Sequence, residues 1–206
     1  PNEAIYYWSL GNAYVDYFNK SKNYDDAIKM YLKAIALDPN DHYYFKSLAD
    51  VYVSINDYNS AIINYNKAIK LKPNDPYLHG LLGDAYVKAE MTNDALKEFQ
   101  EALNIYTKYN EKTPSDKLSI SMLYTKLGDE YDRIGNTTGA IQSYKKAILT
   151  SDTIGYMQCG IKLGLVYLQS KEIENARSIF NKMIELDFDT YSAMVGLGRA
   201  YYMNNQ

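Results

Sequence analysis

Apolar residues in this chain fall in short stripes at helical spacing, separated by polar turns. The clearest stretch runs from His42 to Asp75. Phe45, Leu48, Ala49 and Tyr52 stand at i, i+3, i+4 and i+7, one face of an α-helix. Ala61, Tyr65 and Ala68, widened by Ile62 and Ile69, predict a second helix. Ser54-Ile55-Asn56-Asp57 is polar enough to turn between them. Pro73 cannot continue a helix and restrains the residue before it, so Lys72-Pro73-Asn74-Asp75 ends the second one. Neither short helix buries its apolar face alone, whereas a stack of such pairs does.

The same two stripes recur along the chain. The first, aromatic-x-x-Leu-small-x-x-Tyr, appears six times, with small residues Gly11, Ala49, Gly83, Gly128, Gly164 and Gly198. The second, Ala-x-x-x-aromatic-x-x-small, follows five of these at Ala27/Tyr31, Ala61/Tyr65, Ala95/Phe99, Ala140/Tyr144 and Ala176/Phe180. Pro39 and Pro73 close the first two units; Thr107, Asp152 and Phe188 stand there in the next three. A mid-helix Gly costs roughly 1 kcal/mol of helix propensity. Its return at one phase therefore marks a close approach between helices.

The pattern resembles the tetratricopeptide repeat (TPR), W-x2-L-G-x2-Y…A-x3-F…P at a period of about 34. The resemblance covers essentially the whole chain. It implies an all-α fold, a right-handed solenoid of antiparallel helix pairs. Residues 1–206 are expected to form one array, with repeats at about 4–41, 42–75, 76–120, 121–156 and 157–190 and a partial one at 191–206. The small residues are spaced 38, 34, 45, 36 and 34 apart. The first excess lies in Asp16–Tyr24 and predicts a first helix one turn longer, to near Lys20. The large excess lies in Tyr106–Ile120. There Thr113-Pro114-Ser115-Asp116 predicts a helix start, with Thr as N-cap and Pro in the first position. Both flanking helices are expected to lengthen into a hairpin.

Composition narrows the function. The net charge of −3 argues against non-specific nucleic-acid binding, which needs a basic face. No apolar run approaches the ~18 residues of a membrane span, so no membrane insertion is expected. The start, PNEAIYYW, is no signal peptide, which points to a cytoplasmic location; Pro1 is read as a cut edge. One cysteine, Cys159, allows no internal disulfide framework, and a buried small residue is expected there. His79, at a bulky framework place, is expected to pack in the core. No phosphate loop, paired-cysteine metal spacing or nucleophile elbow is present, so neither cofactor nor metal nor enzymatic activity is expected.

The resemblance implies that first helices line a concave groove. Its groove-facing places lie six and three before the small residue, and one and four after it. One after stand Asp50, Asp84 and Asp129, an acidic ladder, with Asn12 beside it and Asp132 near Asp129. Six before stand Tyr43 and Tyr77, and Lys46 lies three before Ala49. These eight residues are the candidate peptide-binding site. One reading is an extended peptide or short helix whose Lys or Arg pairs with the carboxylates, while Asn12 bonds its backbone. The other is that Asp or Asn after the small residue is framework, satisfied locally. Metal is excluded: successive first helices stand roughly 10 Å apart, and calcium needs several oxygens at about 2.3–2.6 Å. The family's chaperone-tail binders hold a terminal carboxylate with two Lys, two Asn and one Arg. Only Asn12 matches that clamp, since Trp8, Ser47, Tyr77 and Leu81 occupy the other places.

Toward the end the groove turns apolar, at Ile161, Leu165, Leu168, Val195 and Tyr202, where burial is expected. The chain is therefore expected to be a scaffold for a protein or peptide ligand. The alternatives are a targeting or regulatory segment of a larger enzyme, such as a glycosyltransferase or kinase, and a homo-oligomer assembled through open array ends.

Overall fold

The computed structural model describes residues 2–15, 23–108 and 112–204. Among them run ten α-helices and no strand. They are α1 Asn2–Val15, α2 Tyr24–Leu37, α3 His42–Ser54, α4 Tyr58–Leu71, α5 Pro76–Lys88, α6 Thr92–Thr107, α7 Pro114–Arg133, α8 Thr137–Gln169, α9 Ile173–Glu185 and α10 Thr190–Asn204. The chain divides into two compact units, Pro1–Ile105 and Tyr106–Gln206. In the first, α1 packs on α2, α2 on α3, α3 on α4 and α4 on α5; in the second, α7, α8, α9 and α10 pack in sequence.

Short polar side chains start these helices, at Thr113 as expected. Asp41, Asp57 and Asp75 accept the backbone N–H of Tyr43, Ser60 and Tyr77. Thr113 and Asp116 form a reciprocal capping box ahead of Pro114, the predicted start of α7. That helix has 20 residues against 13 for α3 and α5, so much of the excess at Tyr106–Ile120 lengthens it. α6, with 16 residues against 14 for α4, lengthens little. The tip of the expected hairpin, at 109–111, and the expected extension of the first helix to Lys20 lie outside the described residues.

The turns inside repeats share one geometry. Asn56, Glu90, Gly135 and Lys171 take φ of 62°, 60°, 74° and 61°. The next residue's N–H reaches back to Tyr52, Tyr86, Tyr131 and Tyr167 at 2.8–2.9 Å, the Schellman closure. The same closure serves between α9 and α10, where Phe188 replaces a closing proline. Asp187 takes φ 56°, and Phe188 N donates to Met183 O at 2.9 Å.

The recurrent glycine has the expected cause, and the neighbour is the aromatic of the unit's own second helix. A Cβ on Gly11 would lie 2.5 Å from the Tyr31 ring. On Gly83, Gly128 and Gly164 it would lie 2.4 Å from Phe99, Tyr144 and Phe180. These rings form the core: Tyr31, Tyr65, Phe99, Tyr144 and Phe180 are all at most 2 % exposed.

Helical structure in α8 runs unbroken through the expected end of the fourth repeat, yet its axis doubles back. In a straight helix Ile148 and Gly155 would stand about 10 Å apart. Here a Cβ on Gly155 would meet Ile148 Cα at 2.4 Å and Ala147 O at 2.7 Å. Ser121 Oγ of α7 touches both arms, 3.0 Å from Ala147 O and 3.2 Å from Gln158 Oε1. The arms 137–148 and 156–169 therefore serve as second helix of one repeat and first helix of the next.

Candidate functional site

The residues after the small positions lie on successive first helices, and most hold a buried tyrosine. Asn12 Oδ1 accepts from Tyr31 Oη at 2.7 Å, and Asp129 Oδ1 from Tyr144 Oη at 2.8 Å. Asp50 Oδ1 accepts from Tyr65 Oη at 2.5 Å. A buried hydroxyl needs such a partner. Burial pushes the Tyr31 phenol up to about 12, with the Asp50 charge adding to it. Burial first, then the neighbouring carboxylate, raises Tyr65 and Tyr144 as well. The sequence carries this signal. Asn or Asp stands opposite Tyr in three repeats, and Leu165 stands opposite Phe180. Asp84 departs from it, because its repeat has Phe99, which offers no hydroxyl.

Two of the carboxylates also carry a lysine. Lys46 Nζ donates to Asp50 Oδ2 at 2.7 Å and lies 5.7 Å from the centre of the Tyr77 ring. Lys162 Nζ donates to both oxygens of Asp129, at 2.7 and 2.8 Å. Asp50 and Asp129 therefore bear much of the framework role that was the alternative reading of the ladder.

The first unit brings six of the eight candidates together. Asn12, Lys46 and Asp50 line a hollow of about 360 Å³ with Trp8, Tyr31 and Ser47. Asp50 and Asp84 edge another of about 420 Å³, whose wall includes Val53, Leu81, Ala85, Val87 and Lys88. Trp8 Nε1 donates to Ser47 Oγ at 2.9 Å, which holds the indole 6.5 Å from the Tyr43 ring. Tyr43 and Tyr77 are 51 % and 58 % exposed, far more than packing requires. Asp129 and the exposed Asp132 lie on α7 in the second unit.

Other expectations resolve individually. Cys159 is 1 % exposed, and burial pushes its thiol up to about 11. His79 is buried, as expected, though in an ion pair rather than an apolar setting. Of the apolar late positions, Leu168 is buried, Ile161 and Leu165 are half-buried, and Val195 and Tyr202 are exposed. No group of three or more His, Cys, Asp or Glu is placed to hold a metal ion among the described residues. Nor is any helix there long and apolar enough to cross a membrane.

Stacked helix pairs with a glycine-to-aromatic contact at four of them, Gly11, Gly83, Gly128 and Gly164, define a helical-repeat scaffold. Models of the tetratricopeptide repeat match residues 4–41, 49–90, 123–151 and 161–190. The chain belongs to the tetratricopeptide-repeat family, whose all-α right-handed solenoid is the expected fold class. Among solved structures it is similar to MamA, at 24 % identity over 90 % of this chain and 92 % of that one, TM-score 0.72. It is similar to the C-terminal part of a TPR repeat-containing protein from Cytophaga hutchinsonii, at 22 % identity over 98 % and 72 %, TM-score 0.75. It is also similar to YrrB, described as a TPR protein with an unusual peptide-binding site, at 21 % identity over 85 % and 84 %, TM-score 0.64. These are likenesses of fold. No curated protein matches the sequence.

Proposed function

We propose that the chain is a non-enzymatic scaffold whose first unit binds a segment of another protein along α1, α3 and α5. The segment is an extended peptide or short helix carrying Lys or Arg. The observation that carries this reading is the hollow edged by Asp50 and Asp84. Its apolar wall of Val53, Leu81, Ala85 and Val87 suits the methylene stem of a lysine or arginine, and Asp84 at its edge suits the charged head. The exposed Tyr43 and Tyr77 add aromatic surface beside it, a residue type that interfaces favour. YrrB, a likeness in fold, is described as having a peptide-binding site, which is in keeping with this use of the architecture.

Screening a peptide array with the wild-type chain and with Asp84→Asn tests the reading. Loss of Lys- and Arg-containing spots in the variant, and weakening of the same wild-type spots at high salt, support it. Unchanged binding of every spot removes Asp84 from the site.

A further inference from the structure

The third repeat inverts a pairing that three other repeats share. Four residues before the small one stand Tyr7, Phe45 and Tyr124, each facing a lysine of its own second helix. Lys33 Nζ lies 5.1 Å from the Tyr7 centroid, Lys67 Nζ 5.7 Å from Phe45 and Lys146 Nζ 5.5 Å from Tyr124. A cation is thus drawn to the face of an electron-rich ring. In the third repeat the same two places hold His79 and Glu101, with Glu98 one turn earlier on α6. The ring-bearing place now offers the cation, and the second helix offers the anion.

The hydrogen bonds require that cation. His79 is 8 % exposed. Its Nδ1 lies 2.7 Å from Glu98 Oε2, and its Nε2 lies 3.2 Å from Pro73 O. A carboxylate and a carbonyl only accept. A neutral imidazole has one N–H and satisfies one of them, whereas the imidazolium satisfies both. The charged groups around it are Glu98 and Glu101 of α6 and, in the turn before α5, the Lys72–Asp75 pair at 3.0 Å. α4, which also packs on α5, turns its Lys67 onto Phe45 instead.

We propose that His79 is carried as an imidazolium and acts as a pH-sensitive latch. It ties the first turn of α5 to α6 through Glu98 and to the end of the preceding repeat through Pro73. Losing one proton leaves one of these acceptors without a donor and releases that tether. Tyr77 stands two residues away in the same turn, so the turn that presents it loosens with the latch. The latch holds whether or not the groove binds a peptide.

The direction follows from linkage. The Glu98 hydrogen bond raises the His79 pKa above its ordinary ~6.5, against the opposing effect of burial. A raised folded-state pKa gives stability that is complete below ~6.5 and lost as pH rises through the folded value.

The chain has two histidines, His42 and His79, so NMR titration of the full chain resolves them, and His79→Asn assigns the signals. The expected result is a His79 midpoint above ~6.5 with both ring nitrogens protonated below it, lowered by about one unit or more in Glu98→Gln. A midpoint at or below ~6.5, or one unmoved by Glu98→Gln, overturns the proposal. Urea unfolding at several pH values gives a second readout. His79→Phe, which installs the ring used at Phe45, is expected to flatten the wild-type loss of stability between about pH 6 and 9. A variant as pH-sensitive as wild type across that range overturns the latch equally.

Discussion

Tyr144 of α8 donates its phenolic proton to Asp129 of α7 at 2.8 Å, from a side chain only 1 % exposed. The acid lies at a place expected to face the groove, yet it serves the core. Asp129→Asn keeps an acceptor and is expected to change stability little. Asp129→Leu leaves a buried hydroxyl unpaired and is expected to cost about 1–3 kcal/mol. Adding Tyr144→Phe recreates the Leu165/Phe180 pairing of the next repeat and is expected to recover most of that loss. Urea unfolding of the single and double variants measures this coupling.

Gly155 sits where α8 folds back on itself, and a Cβ there would strike the backbone of 147–148. Gly155→Ala is expected to destabilise the second unit by about 1–3 kcal/mol, as overpacking does. Gly135→Ala makes a useful contrast: there the added methyl meets nothing within 4 Å, and the cost comes from φ 74° alone. Thermal melts of both variants separate steric clash from backbone strain.

Glu90 and Lys171 hold left-handed backbone in the intra-repeat turns, at φ 60° and 61°. That conformation costs an L-residue roughly 1–2 kcal/mol, and Gly avoids it. Glu90→Gly and Lys171→Gly are each expected to raise the denaturation midpoint, and chemical unfolding detects the shift. A lowered midpoint would show that those side chains contribute more than their turns cost.

Much of this architecture was legible in the sequence because local rules determine it. The i, i+3, i+4, i+7 stripes located the helix pairs, Pro73 ended α4, and Thr113-Pro114 started α7. The doubling back of α8 was legible from the repeat period, which closes the fourth unit at Asp152 and opens the next near 157; what it did not show is that helical backbone runs unbroken through that boundary, where no proline stands between Ile148 and Gly155. The site was legible only by position. The family resemblance implied a groove-facing place for Asp50 and Asp129 but could not show that Tyr65 and Tyr144 reach them from the second helices. Nor could it show that Glu98 and Pro73 converge on His79, since those contacts join separate elements.

Cys159 is enclosed by the two arms of α8, with Sγ 3.2 Å from Gly155 O and 3.6 Å from Tyr144 O. With the thiol at about 11, thiolate is scarce at neutral pH. A thiol-specific reagent is expected to label the native chain far more slowly than the urea-unfolded one, and rapid native labelling would contradict this burial.

Trp8 is the single tryptophan of the chain, and it lies beside Tyr43 at the groove. Its fluorescence therefore reports on the site that matters most to the proposed function. The decisive measurement is a titration of wild type and Tyr77→Ala/Asp84→Asn with a Lys/Arg-containing peptide selected on the array, at low and high salt. The account predicts a saturable change in Trp8 emission for wild type, weakened by salt and at least tenfold weaker in the double variant, about 1.4 kcal/mol or more. Equal affinity in the two proteins, or binding indifferent to salt, would contradict a cation-reading groove in the first unit.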